Sequence, residues 1–263
     1  MADDALFRPV DGATYLPTAL AAGPWDQHIL HGAAVAALFA GVLTPPSGTL
    51  ARLTVELLGP VPRAPLSLER GELVGGRRVK RQAAELAVDG QPVASARTVV
   101  VREADLDLPD TAVDPASPFP PAEVPVLDEP NRAAADQVGW ECFDSSALIL
   151  HWRRVDGDRR VHAWVGLAVP VVEGTEPTGV ELAAVAGDYG ASATNRQLPY
   201  ATWSFRNTEL SLHLARHPVG RWIGMRSEGV VAPVGAGFHA TDLFDEGGRV
   251  ARSASALLIE PRG

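Results

Sequence analysis

Positions 157 residues apart in this chain share identities and local patterns. Val93-Ala94 recurs as Val250-Ala251, Leu53 falls on Leu210, Leu57 on Leu214, Ala34 on Ala191 and Ala36 on Ala193. A repeat of this period in a 263-residue chain restricts the fold to two copies of one unit, each burying an apolar face against the other. Between the copies, Glu103 to Pro130 is rich in proline and acid, which suits an extended segment running over the surface. The division expected is a first unit over 1–105, a linker over 106–134 and a second unit over 135–263.

Each unit reads as one helix followed by antiparallel strands. The segment His31 to Leu43 is apolar almost all round, so its helix should be enclosed rather than lie on a surface. Strands are expected near 49–58, 65–74, 76–88 and 92–102. In the second unit, Thr178 and Glu181 form a capping-box pattern that opens a helix, and Gly187 and Gly190 should weaken it around Asp188. Strands near 145–154 and 159–168 precede this helix, and others follow near 200–214, 219–232, 235–245 and 248–259. Leu53-Thr-Val-Glu-Leu57 and Leu210-Ser-Leu-His-Leu214 alternate as half-buried strands do. Val88 to Val93 and Phe244 to Val250 both read as strand, turn, strand, the second with one residue inserted. The fold class is therefore α+β, a double hotdog with two central helices wrapped by a long curved antiparallel sheet.

Charge and cysteine content remove several classes of function. The formal charge is −9 and Lys80 is the only lysine, so neither nucleic acid nor an anionic membrane surface is an expected partner. Cys142 stands alone, which excludes an internal disulfide and a cysteine-based zinc site and fits a cytoplasmic setting. The acidic start, Met1 to Leu6, does not read as a signal peptide, and the low-charge stretch 29–50 holds His31 and Pro45-Pro46, a poor membrane span. Gly235-Ala-Gly-Phe-His-Ala240 imitates a dinucleotide loop but leads into strand alternation instead of a helix. His213 and His217, four apart, sit on a strand and its turn, where that spacing does not gather metal ligands. No metal and no cofactor are expected. Glu141 and Asp144 flank Cys142 and would raise a thiol pKa, so the cysteine reads as structural.

Asp188 stands apart. It lies inside the apolar helical run Val180 to Ala193, where a carboxylate is costly unless it is paired or used. The repeat offset places His31 at the same point of the first unit, since 188 − 31 = 157, and a duplicated fold would bring two such points together about a pseudo-twofold axis. Asp26 and His31 add a polar pair just before the first helix.

Several local motifs carry a family resemblance. They are His31-Gly32-Ala33-Ala34 at the first helix, Leu53 to Pro60 as a strand ending in a turn, Gly76-Arg77-Arg78-Val79, and Asp245 to Ser253 as a closing hairpin. In their order and spacing the chain resembles the type II acyl-CoA thioesterases, double hotdog enzymes that hydrolyse acyl-CoA esters, and more closely an actinobacterial thioesterase-like branch. The resemblance implies an acyl-CoA or related acyl thioester as substrate, with water as the nucleophile. It also implies a catalytic set of a helix Asp, a strand hydroxyl and a last-strand Gln. Asp188 matches the Asp; the hydroxyl position falls on Asn207, or on Thr208 after a one-residue slip; the Gln position falls on Ser255. Thioester hydrolysis needs a base, an oriented water and donors for the oxyanion. Asp188 can take the proton, Asn207 or Thr208 with Ser255 can hold the carboxylate or the water, and the helix start at His31, Gly32 and Ala33 can bind the thioester carbonyl. Two other readings remain open: an enoyl-CoA hydratase-like enzyme using Asp26 and His31, and an acyl-thioester-binding protein without catalysis. A homodimer is expected, because strand 207–213 would turn Asn207, Glu209, Ser211 and His213 outward.

Overall fold

The alternating segments pair into one antiparallel sheet. The first unit supplies β1 (Phe7–Pro9), β2 (Thr14–Pro17), β3 (Thr49–Leu57), β4 (Leu66–Arg70), β5 (Val74–Gly75), β6 (Val79–Val88) and β7 (Gln91–Val101). The second supplies β8 (Leu148–Arg153), β9 (Val161–Leu167), β10 (Trp203–Asn207), β11 (Glu209–Leu214), β12 (Ile223–Val231), β13 (Ala236–Asp245) and β14 (Gly248–Pro261). This computed structural model describes residues 4–109, 139–153, 160–199 and 201–262, so the expected linker lies outside them from residue 110 onward. The main path through the sheet runs β1-β2-β4-β6-β7-β3-β11-β14-β13-β12-β9-β8. The two units meet where β3 pairs with β11, Leu53 opposite Leu212 and Thr54 opposite Ser211.

The sheet preserves the 157-residue offset pair by pair. Thr54 faces Arg97 in the first unit as Ser211 faces Ala254 in the second. The hairpin closed by Val88 and Gln91 corresponds to the one closed by Asp245 and Gly248, both with two-residue turns and no insertion. This corrects the inserted residue read from the sequence. Each hairpin even carries its register shift at the same point, between Leu86 and Ala87 and between Leu243 and Phe244. The single strand expected over 200–214 is two, β10 and β11. A bulge at Thr208 separates them, just as the register of β3 skips Ala51, 157 positions earlier. A bulge inverts which side chains face inward. Asn207 therefore points inward, not outward as the unbroken alternation predicts.

The helices follow a different offset. The apolar run forms α1 (Gly32–Leu43) and the capping box opens α2 (Gly179–Tyr189). Their N-caps, His31 and Thr178, are 178 − 31 = 147 residues apart. The extra length of the second unit is taken up between α2 and β10, largely by the 3-10 helix Gly190–Arg196. Ala191 and Ala193 belong to that 3-10 helix, so their identities with Ala34 and Ala36 are not structural equivalences. Both helices are buried along most of their length, in one apolar core shared by the two units. They pack antiparallel. A Cβ on Gly32 would meet the Asp188 carboxylate, and one on Gly41 would meet the Glu181 carboxylate. No helix among the described residues is long and apolar enough to cross a membrane.

Candidate active site

Antiparallel packing sets the start of α1 beside the end of α2, and there Asp188 is only 5% exposed. Gly32 permits the approach, since a Cβ at that position would lie 3.1 Å from Asp188 Oδ1. His31 caps α1 with its side chain, Nδ1 accepting from the Ala33 N–H at 3.0 Å. From β10, Asn207 Nδ2 donates to Asp188 Oδ1 and to the Asp188 carbonyl oxygen, both at 2.8 Å. Two acceptors on that side fix the amide orientation, because only the NH₂ end can serve both. Asn207 Oδ1 then points away, buried and without a hydrogen-bond partner among the described residues.

Burial pushes the Asp188 carboxyl above the usual carboxylate range. His31, the Asn207 amide and the Ala33 N–H favour the charged form and limit that rise, whereas the nearby Asp144 carboxylate adds to it. His31 lies between two acids, with Nδ1 3.8 Å from Asp188 Oδ2 and Nε2 3.7 Å from Asp144 Oδ2. Because Nδ1 accepts the Ala33 N–H, the neutral ring carries its proton on Nε2, facing Asp144. Tyr189 O–H donates to Asp144 Oδ1 at 3.0 Å, and Phe143 stacks on the imidazole with ring centroids 4.8 Å apart.

Asp188, Asn207, His31, Gly32 and Ala33 thus come together. Their meeting arises from helix packing, not from the equivalence of His31 and Asp188 drawn from the repeat: the counterpart of His31 is Thr178. Thr208 stands apart, exposed, its hydroxyl donating to the Ala256 carbonyl at 3.2 Å. Ser255 is buried on the inner face of β14, and its hydroxyl has no hydrogen-bond partner among the described residues. On the same face Ser253 donates to the Gly187 carbonyl at 3.4 Å, and Leu257 lies opposite Asn207. Asp26 does not pair with His31; it is exposed and accepts from the His28 N–H. Sequence reasoning missed Asp144, Tyr189 and Phe143 as site residues. Asp144 and Phe143 sit in the one-turn π-helix Phe143–Ala147, which no periodicity announces. The signals in the sequence were Tyr189, adjacent to Asp188, and Asp144, which showed only as a neighbour of Cys142.

The acyl-CoA thioesterase N-terminal domain matches residues 21–101, and the acyl-CoA thioesterase C-terminal domain matches residues 109–259. The chain belongs to the acyl-CoA thioesterase family. Membership makes it an acyl-CoA thioester hydrolase, and the double hotdog fold agrees with solved structures. A candidate thioesterase II from Thermobifida fusca YX aligns with TM-score 0.70 at 15% identity, over 97% of this chain and 95% of that one. A hot dog fold protein of unknown function from Alicyclobacillus acidocaldarius gives 0.66 at 17%, over 99% and 98%. The acyl-CoA thioesterase II TesB2 from Mycobacterium marinum gives 0.64 at 14%, over 98% and 95%. At such identities the likeness establishes the fold of this thioesterase-family chain. No curated protein sequence matches it.

Proposed function

We propose that the chain hydrolyses acyl-CoA thioesters by direct attack of water, with Asp188 as general base. The observation that carries this reading is the buried Asp188 carboxylate, pinned by Asn207 against the start of α1. Asn207 holds Asp188 Oδ1 and so fixes the carboxylate, which leaves Asp188 Oδ2 as the acceptor for a proton of the attacking water. The Gly32 N–H, at the first position of α1, has no intrahelical acceptor and can donate to the thioester oxygen as charge builds there. Attack moves a water proton to Asp188; collapse of the tetrahedral intermediate breaks the C–S bond, and the departing thiolate takes that proton. No covalent acyl-enzyme is needed. His31 and Ala33 complete the wall at the carbonyl.

The His31–Asp144 pair also suits addition of water to an enoyl thioester. Parallel assays on a saturated acyl-CoA and its trans-2-enoyl analogue separate the readings. Thiol release from the saturated ester is expected. Loss of enoyl absorbance without thiol would mark a hydratase, and saturable binding with neither signal would mark a binding protein.

The proposed assembly is a homodimer through the outer sheet face. Its support is an apolar strip where Val230 pairs with Phe238 and Phe238 with Ala256, Val230 and Phe238 each 48% exposed. Sedimentation at micromolar concentration should give twice the chain mass; a monomer there would remove the proposal.

A further inference from the structure

Beneath the end of α2 and the following 3-10 helix, β12, β13 and β14 lay down two polar rows in register. Ser227, Thr241 and Ser253 share one row; Gly229, His239 and Ser255 share the next. The five polar side chains are at most 1% exposed. Their hydrogen bonds run in one direction. Ser227 donates to the Gly190 carbonyl at 2.9 Å, and Thr241 donates to Ser227 Oγ at 2.8 Å. The one hydroxyl hydrogen of Thr241 is thereby used, so in its 3.3 Å contact with His239 Nδ1 the imidazole N–H must be the donor. The lone pair of the ring then lies on Nε2. Burial pushes the His239 pKa down to about 4, so at neutral pH the ring is uncharged and Nε2 stays an acceptor.

That acceptor and the Ser255 hydroxyl, neighbours in register, are both buried without a hydrogen-bond partner among the described residues. The duplicated unit supplies an internal comparison. At the positions 157 residues earlier, Gln82 and Thr98 also face each other across a strand pair. There Gln82 Nε2 donates to the Gly71 carbonyl at 2.8 Å and Thr98 to the Gln82 carbonyl at 3.4 Å, so that pair is satisfied within the chain. Among the described residues, the copy next to Asp188 instead leaves its polar atoms open. The backbone at Gly190, two residues past Asp188, rests directly on His239, as a Cβ there would lie 2.6 Å from Nδ1.

We propose that His239 Nε2 and Ser255 Oγ form a hydroxyl-binding subsite beside Asp188, and that the acyl group of the substrate carries a hydroxyl that occupies it. A hydroxyl matches the pair, donating to Nε2 while accepting from Ser255. A ketone oxygen can only accept, and a methylene does neither, which ranks hydroxyacyl above oxoacyl above saturated thioesters. The inference rests on the reading of the Asp188 region as the place where the thioester lies.

The test is kcat/KM for CoA thioesters of one chain length, saturated, oxo-substituted, or hydroxylated at C2, C3 or C4. One hydroxylated ester should exceed the saturated one on the order of 10²-fold, since the saturated analogue leaves a buried polar pair unmatched. In His239→Leu that ratio should fall toward one. His239→Gln, which keeps an acceptor oxygen, should retain part of it and also serves if the leucine variant does not fold. Equal turnover of hydroxylated and saturated esters by the wild type would mean that the pair holds only water, and would overturn the subsite. So would a folded His239→Leu that keeps the preference. Absence of thiol release from every ester would instead defeat the thioesterase reading, and the ranking of the same esters by dissociation constant would then decide the subsite by itself.

Discussion

Asp188→Asn is expected to lower kcat by roughly 10²–10⁴-fold, with KM little changed, because the substitution keeps shape and hydrogen bonds but removes the group that accepts the water proton. The same variant should be no less stable at neutral pH, and more stable if anything. Burial raises the Asp188 pKa in the folded chain. A raised carboxylate pKa means that the native state holds the proton more tightly than the unfolded one. Its contribution to stability is full below the unfolded pKa and is lost as pH rises through the folded one. Once pH exceeds the folded-state pKa, the ionised carboxylate weighs against folding, and a neutral asparagine relieves it. Thiol-release kinetics together with a denaturant midpoint check both halves. An inactive and less stable variant would point to a structural role, and a variant as fast as the parent would move the base elsewhere.

Asn207→Asp should be the next most damaging change, lowering activity at neutral pH by about 10²-fold, the loss expected when a reacting group is displaced by a fraction of its proper contact. The replacement is nearly isosteric, yet it turns the donor that serves Asp188 Oδ1 and the Asp188 carbonyl into an acceptor. Two carboxylates at hydrogen-bond distance cannot both ionise freely and titrate as a coupled pair. The acid limb of the kcat/KM profile should consequently move to higher pH, with activity partly recovered as pH rises. If Asn207 only supports the fold, activity drops without movement of the limb. Thr208→Ala is the matched control, because that hydroxyl is spent on the Ala256 carbonyl.

The strands were legible because side-chain alternation and turn chemistry are local, and the offset of 157 survives in the sheet down to matching register shifts. The helices were legible as elements but not in their mutual placement. Scattered alanines suggested an offset that the N-caps at His31 and Thr178 do not share. His31 and Asp188 were paired for a reason that does not hold, and they meet through antiparallel packing, a tertiary fact outside any window of sequence. The inward turn of Asn207 depends on one bulged residue, Thr208, which alternation cannot show. β1 and β2, three and four residues long, were too short to stand out. Asp144 was visible only as a neighbour of Cys142; its approach to His31 requires the chain to fold back over more than a hundred residues.

Two separate hotdog chains meeting on a true twofold axis would have to place the same residue at both helix junctions. Here the junctions differ. Counting 147 residues back from Asp188 reaches Gly41, so the second junction has no aspartate at the equivalent point. What faces Gly41 is Glu181, whose carboxylate is spent on the Thr178 N–H and hydroxyl at 2.7 and 2.9 Å. Within one chain the two junctions can differ: one carries the capping box that opens α2, while the other keeps its acid. A titration with a tight inhibitor should accordingly count one active centre per polypeptide.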